Sequence, residues 1–70
     1  MRPITAKKLI KILLANNFVL SRSKGSHIIY KNIITGIIVP VPLHGLNKPI
    51  YLGTLLAIIK QSKIPKEKFL

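Results

Sequence analysis

The spacing of hydrophobic residues changes at Phe18, and this change limits the possible folds more than any other feature of the sequence. In residues 5–16, TAKKLIKILLAN, apolar residues recur at the three- and four-residue spacing of a helix. From Phe18 onward they recur at every second position, which is the period of a strand. The change predicts an α+β fold that begins with an amphipathic helix and continues as strands.

The predicted first helix has one apolar face and one basic face. Thr5 can cap its N-terminus, and Asn17 can adopt the left-handed conformation that ends a helix. The apolar stripe, which should face the core, consists of Ala6, Leu9, Ile10, Leu13 and Leu14. The opposite face, interpreted either as solvated surface or as a ridge that binds polyanions, carries Lys7, Lys8 and Lys11.

Three strands are predicted next. FVLSRS should place Phe18, Leu20 and Arg22 on one side, and SKGS should form a turn with positive φ at Gly25 before HIIYK leaves as the second strand. The third strand, IIVPVPL, should bury one face, formed by Ile37, Val39, Val41 and Leu43. Proline cannot donate a ladder hydrogen bond, so this strand should lie at a sheet edge because it also contains Pro40 and Pro42.

A second helix is predicted to begin near Gly53 or Thr54 and to run to Ser62. Its core-facing positions, at helical spacing, are Leu55, Ile58, Ile59 and Ser62. A short terminal turn, PKEKF, should start at Pro65. The order α-β-β-β-α predicts a three-stranded antiparallel sheet with both helices on one face and the other face open.

Charge is the strongest compositional signal. Twelve Lys and Arg residues stand against one acid, for a formal net charge of +11. Solubility requires a net charge of only about 2 to 8 in a small domain. The excess predicts a nucleic acid or an acidic protein as partner, with an anionic membrane surface as the alternative.

Length and residue types set further limits. Seventy residues predict one domain, residues 1–70, and a hydrophobic content of 49% is too high for a disordered tail. There is no cysteine for disulfides or thiolate metal sites, no apolar run near the roughly 18 residues of a membrane span, and no apolar signal core at the N-terminus. We therefore expect a cytoplasmic protein that does not associate with membranes.

Few residues could carry out chemistry. A single glutamate cannot hold Mg²⁺, two histidines cannot complete a zinc site, and no acid could orient a Ser-His pair. No cofactor or metal is expected. RNA cleavage without metal stays feasible, because the 2′-hydroxyl of RNA is the nucleophile and the protein supplies only proton transfer and cations.

His27 is the first candidate for that proton transfer, and the alternative is that it merely ends a turn. Arg22, Lys24 and Lys31 flank it and could bind phosphates. Ser26 could bind a phosphate or only stabilise the turn at Gly25, and we favour the turn. We also favour a structural interpretation of His44, as a loop residue rather than a second proton-transfer group. The same holds for Tyr51, which we expect to pack over the second helix rather than to form a base-stacking platform.

The stretches KGSHIIYK, VPVPLHG and GTLLAIIKQSKIPKEKF, behind a short Lys-rich helix, resemble the HicA family of bacterial and archaeal toxins, also called YcfA-like mRNA interferases. The resemblance implies a fold similar to the double-stranded RNA-binding domain, ribosome-independent mRNA cleavage and growth arrest. It also implies a cognate HicB antitoxin. The catalytic histidine of the family lies in a Gly-Ser-His motif, which here is Gly25, Ser26 and His27.

Three functions therefore compete at the sequence level. The first is a metal-independent RNA endonuclease that is monomeric when free and is inhibited by a HicB-like protein. The second is a non-catalytic RNA-binding module, which the same fold and charge would serve. The third is a membrane-active cationic protein.

Overall fold

The computed structural model describes residues 3–70, so residues 1 and 2 of the predicted domain lie outside the described residues. The elements, in chain order, are α1 (Ala6–Ala15), β1 (Phe18–Lys24), β2 (His27–Asn32), β3 (Ile38–Pro42), α2 (Leu52–Ser62) and a terminal 3₁₀ turn (Lys66–Phe69). The predicted order α-β-β-β-α is confirmed.

Helix α1 begins and ends as its sequence predicts. The Thr5 hydroxyl accepts a hydrogen bond from the Lys8 N–H at 3.2 Å, and Asn17 takes a positive φ of 71°. The prediction for the apolar stripe is wrong at Leu14, whose side chain is 52% exposed. Leu14 lies one helical step of about 100° beyond the buried Leu13, and this step carries it past the edge of the core.

The three strands form one antiparallel sheet in the order β1-β2-β3, so β3 lies at an edge, as predicted. The Leu43 N–H donates to the Ser26 carbonyl at 2.7 Å, which shows that odd-numbered residues of this segment turn their backbone groups toward β2. Even-numbered residues turn theirs outward. The two ring nitrogens at Pro40 and Pro42 therefore face away from the paired strand.

A β-bulge in β1 overturns one prediction. Leu20 lies opposite Tyr30, but the next paired residue is Arg22, opposite Ile29, so Ser21 is an extra residue in the strand. The prediction that Arg22 shares a side with Phe18 and Leu20 is therefore wrong. The bulge moves Arg22 to the other face of the sheet, where Ile29 lies.

One face of the sheet supports the core, beneath the two helices. It contributes the buried side chains of Phe18, Tyr30, Val39 and Val41. Burial raises the pKa of the Tyr30 hydroxyl above its ordinary value, so this group stays neutral. All four predicted core positions of α2 are buried, although the helix begins at Leu52, slightly before the predicted start.

The opposite face of the sheet is open. By register it carries His27 and Lys31 of β2, together with Arg22 and Lys24 of β1 on the neighbouring strand. All four of these residues are exposed. The prediction of an open face is thereby confirmed, and this face presents a cluster of cations around one imidazole.

Candidate active site

His27 is the first residue of β2 and follows directly from the turn that joins β1 to β2. Gly25 in that turn takes φ 60°, which glycine adopts without steric cost. In the sheet His27 lies between Lys24 of β1 and Pro42 of β3, so its side chain projects from the open face. The ring is accessible to solvent and lies beside cationic neighbours.

A cleft of about 570 Å³ opens along the β3 edge of the sheet, between this edge and α2. His27, Pro40 and Pro42 form the sheet side, and the α2 side includes Thr54, Ala57 and Gln61. The Gln61 side-chain amide donates to the outward-facing Ile38 carbonyl at 2.7 Å. This bond holds α2 against the edge of β3, so the cleft has two walls that are fixed relative to each other.

The loop between β3 and α2 closes the end of the cleft and is held by the start of α1. The first N–H groups of a helix have no partner within the helix. Here the Ala6 N–H donates to the Lys48 carbonyl at 3.3 Å, and the Lys7 N–H donates to the Leu46 carbonyl at 3.0 Å. The loop therefore has a defined position, and with it the side chains of His44 and Lys48, which both line the cleft.

Lys48 could not be identified as a candidate site residue from the sequence, because it lies in a loop without any periodic pattern. Its position depends on Gly45, whose φ is 127°. A Cβ atom on Gly45 would lie only 3.2 Å from Cγ of Lys48. The absence of a side chain at this position leaves room for the aliphatic stem of Lys48, a residue that lines the cleft.

The other predicted phosphate-binding residues divide into two groups. Arg22, Lys24 and Lys31 share the open face with His27 but do not line the cleft itself. The exposed lysines of α1 belong to a helix outside the sheet and do not line the cleft either: Lys7, Lys8 and Lys11. Ser26 accepts the hydrogen bond from Leu43 through its backbone carbonyl, so that its hydroxyl is not needed for this contact.

The position of Tyr51 contradicts another prediction from the sequence. Its side chain is 85% exposed and lines the cleft, so the expectation that it packs over α2 is wrong. The residue caps the N-terminus of α2, with an extended backbone at ψ 137° that directs the chain into the helix. Its ring therefore projects from the rim of the cleft instead of covering the core.

The electrostatics of the cleft favour an anionic ligand. The only acid of the sequence, Glu67, belongs to the terminal 3₁₀ turn and does not line the cleft. The first turn of α2, at the rim, contains no acidic residue, so the positive end of the helix dipole is not compensated there. Within residues 3–70, no three side chains of His, Cys, Asp or Glu come together as a metal site would require.

In the part of the chain that the structure describes, no helix has both the length and the apolar character needed to cross a membrane.

Comparison with known proteins identifies the family. The sequence profile of the family described as HicA toxin of bacterial toxin-antitoxin matches residues 6–64. No curated protein matches the chain at a significant level. The matched range extends from the start of α1 past the end of α2, and it includes both histidines and Lys48 of the cleft. The chain therefore belongs to the HicA toxin family of bacterial toxin-antitoxin systems.

Proposed function

We propose that this protein is a metal-independent endonuclease that cleaves cellular mRNA. The 2′-hydroxyl of the RNA attacks the adjacent phosphorus, and His27 transfers a proton as general base or general acid. An unperturbed imidazole titrates near pH 6.5, so it can both accept and release a proton at cellular pH. The family resemblance of the Gly25-Ser26-His27 motif implies the same role for this histidine.

One observation carries the proposal: His27 is exposed where a cleft adjoins the cations of the open sheet face, and it is not buried in the core. A histidine that only ended the hairpin would need neither the cleft nor the cations. RNA in this cleft would meet Lys48, and RNA that extends from the cleft across the open face would meet Arg22, Lys24 and Lys31. Cations at these positions would hold the phosphates and stabilise the charge that develops on the scissile phosphate.

Two exposed residues extend the proposed RNA site. Tyr51 presents its aromatic ring at the rim of the cleft, where a base of single-stranded RNA could stack on it. The Ser26 hydroxyl, which is not used to close the sheet, is free to donate to a phosphate oxygen.

An antitoxin is the partner of a toxin in such a system. We propose that it is an acidic, HicB-like protein that covers the open face and thereby blocks RNA. The face combines cations with exposed apolar side chains, among them Val19 and Ile38. Such a surface suits a partner that offers carboxylates around an apolar centre.

The decisive test is His27→Ala, assayed on single-stranded RNA of mixed sequence in the presence of EDTA. We expect wild-type protein to cleave and the variant to lose about 10²- to 10⁴-fold in rate, the usual contribution of a positioned proton-transfer group. Because His27 is exposed, the variant should unfold at the wild-type temperature and should bind RNA and antitoxin as before.

A matched control is Lys66→Ala, which removes a cation from the terminal turn, outside the cleft and outside the sheet. It should cleave at nearly the wild-type rate. Undiminished cleavage by His27→Ala would disprove the assignment of this residue. If wild-type protein shifts RNA in a gel but leaves it intact at all times, the chain is instead a non-catalytic RNA-binding module.

A further inference from the structure

His44 lies in the same cleft as His27, although 17 positions separate them in the sequence. The pairing of β2 with β3 brings them together. His27 lies opposite Pro42, two positions before His44, and the Leu43 N–H bonds to the Ser26 carbonyl at 2.7 Å. Each histidine therefore directly follows one partner of a single backbone hydrogen bond.

The chemistry of RNA cleavage requires two proton transfers, one from the attacking 2′-oxygen and one to the departing 5′-oxygen. Besides the imidazoles, the titratable groups that line the cleft belong to Lys48 and Tyr51. Imidazole is the side-chain type whose ordinary titration range lies around neutral pH. Among the described residues that line the cleft, His27 and His44 are the two that carry this group.

We propose that His44 is the second catalytic residue, so that the two histidines act as a base and an acid on the same phosphodiester. This inference rests on the endonuclease function proposed above. The neutral imidazole removes the 2′-hydroxyl proton, and the 2′-oxygen forms a bond to phosphorus. The bond from phosphorus to the 5′-oxygen breaks, and the departing oxygen keeps the electron pair and takes a proton from the other, protonated imidazole.

The products are a 2′,3′-cyclic phosphate and a 5′-hydroxyl, and atoms and charge balance without a co-reactant. One proton has moved from RNA to the first imidazole, and one from the second imidazole to RNA. Proton exchange with water then restores both rings.

The first test compares pH–rate profiles of kcat/KM for the wild type and His44→Ala. We expect a bell-shaped wild-type profile, because one ring must be neutral and the other protonated. His44→Ala should be about 10²- to 10⁴-fold slower, with one limb of the bell missing and with its melting temperature unchanged. His44→Gln, which keeps a hydrogen-bonding side chain but cannot titrate in this range, should behave like the alanine variant.

A second substrate shows which of the two histidines acts as the acid and which acts as the base. A nucleoside 3′-(p-nitrophenyl phosphate) has a leaving group that departs without a proton. The histidine that acts as acid becomes dispensable on this substrate, so either His27→Ala or His44→Ala, but not both, should recover nearly the wild-type rate. Retention of both limbs by His44→Ala and His44→Gln, or recovery by neither alanine variant, would show that His44 is no more than a loop residue.

The third test does not depend on cleavage. Wild-type protein is titrated with a nucleoside 3′-monophosphate while the ring signals of both histidines are followed by NMR. We expect both rings to respond with the same dissociation constant. A response of His27 alone would overturn the inference.

Together, the three tests distinguish a failure of the role proposed for His44 from a failure of the proposed endonuclease function. If wild-type protein cleaves RNA and His44 fails these tests, only the role of His44 is wrong. If wild-type protein does not cleave RNA, the endonuclease function fails and the catalytic role of His44 fails with it, while a joint response of both rings would still establish a shared anion site.

Discussion

At the scale of single residues, Gly45 shows how a backbone conformation positions a side chain of the cleft. Its φ of 127° lies in a region that residues with a side chain rarely adopt. A Cβ atom there would also press on the aliphatic stem of Lys48 at 3.2 Å. Gly45 is thus required twice, once for its own conformation and once for the path of a neighbouring cation.

We predict that Gly45→Ala loses stability and weakens RNA binding at the same time. The cost in unfolding free energy should exceed about 1 kcal/mol, because alanine is strained at this φ. Displacement of Lys48 should raise the KM for RNA, and Lys48→Ala should raise it in the same way. Urea unfolding and initial cleavage rates would measure the two effects.

Gly36→Ala is the matched control. Gly36 also has a positive φ, 79°, but a Cβ atom there would meet nothing within 4 Å. It should lose stability while KM stays unchanged. An unchanged KM in Gly45→Ala would show that Lys48 does not depend on Gly45.

At the scale of elements, the bulge in β1 determines which cations accompany His27. Ser21 is the extra residue, and after it the alternation of β1 is reversed, so that Arg22 and Lys24 both lie on the open face. Without the extra residue, the alternation that begins at Phe18 would direct Arg22 toward the core, where an unpaired guanidinium would be costly. The bulge resolves this conflict and adds a cation to the open face of the sheet.

We predict that Arg22→Ala reduces the salt dependence of RNA binding. Each phosphate contact with single-stranded nucleic acid contributes about 0.7 to the slope of log K against log salt concentration. Titrations of labelled RNA at several NaCl concentrations, with His27→Ala as the inert background, should show the slope reduced by about that amount. An equal reduction in Lys66→Ala would indicate general electrostatics instead of a contact on the open face.

The elements differ in how well their sequence predicts them. Both helices, the edge position of β3 and the turn at Gly25 follow from local periodicity, caps and proline chemistry, and all were confirmed. The face of Arg22 could not be predicted, because a bulge inserts a residue without a local sequence signal. The meeting of His44, Lys48 and His27 depends on strand register and on the bonds from α1 to the loop, which are contacts between distant parts of the chain.

At the scale of the whole molecule, repulsion between the cations acts over a distance similar to the size of the protein when the salt concentration is low. The described residues fit within about 29 × 28 × 18 Å, and the full sequence carries a formal charge of +11. The Debye length is about 30 Å at 0.01 M salt and about 8 Å at 0.15 M. At low salt, every cation therefore repels every other one across the entire molecule.

We predict that the melting temperature rises by several degrees when NaCl is increased from 10 to 150 mM. Screening weakens repulsion between cations, and with one acid in the sequence there are few ion pairs to lose. A gain of about 1 kcal/mol would correspond to roughly 4 to 8 °C in a domain of this size. Circular dichroism melts would measure the shift, and a fall in melting temperature with added NaCl would contradict the prediction.

The outward-facing prolines of β3 have a consequence for how this apolar chain avoids aggregation. An exposed strand edge with free N–H groups can serve as a template for strands of other molecules. Pro40 and Pro42 offer no such donors, and the carbonyl of Ile38 is already occupied by Gln61. Strand addition at this edge of the sheet is thus disfavoured, and among the described strands the outer edge of β1 is the one that still offers N–H groups to another molecule.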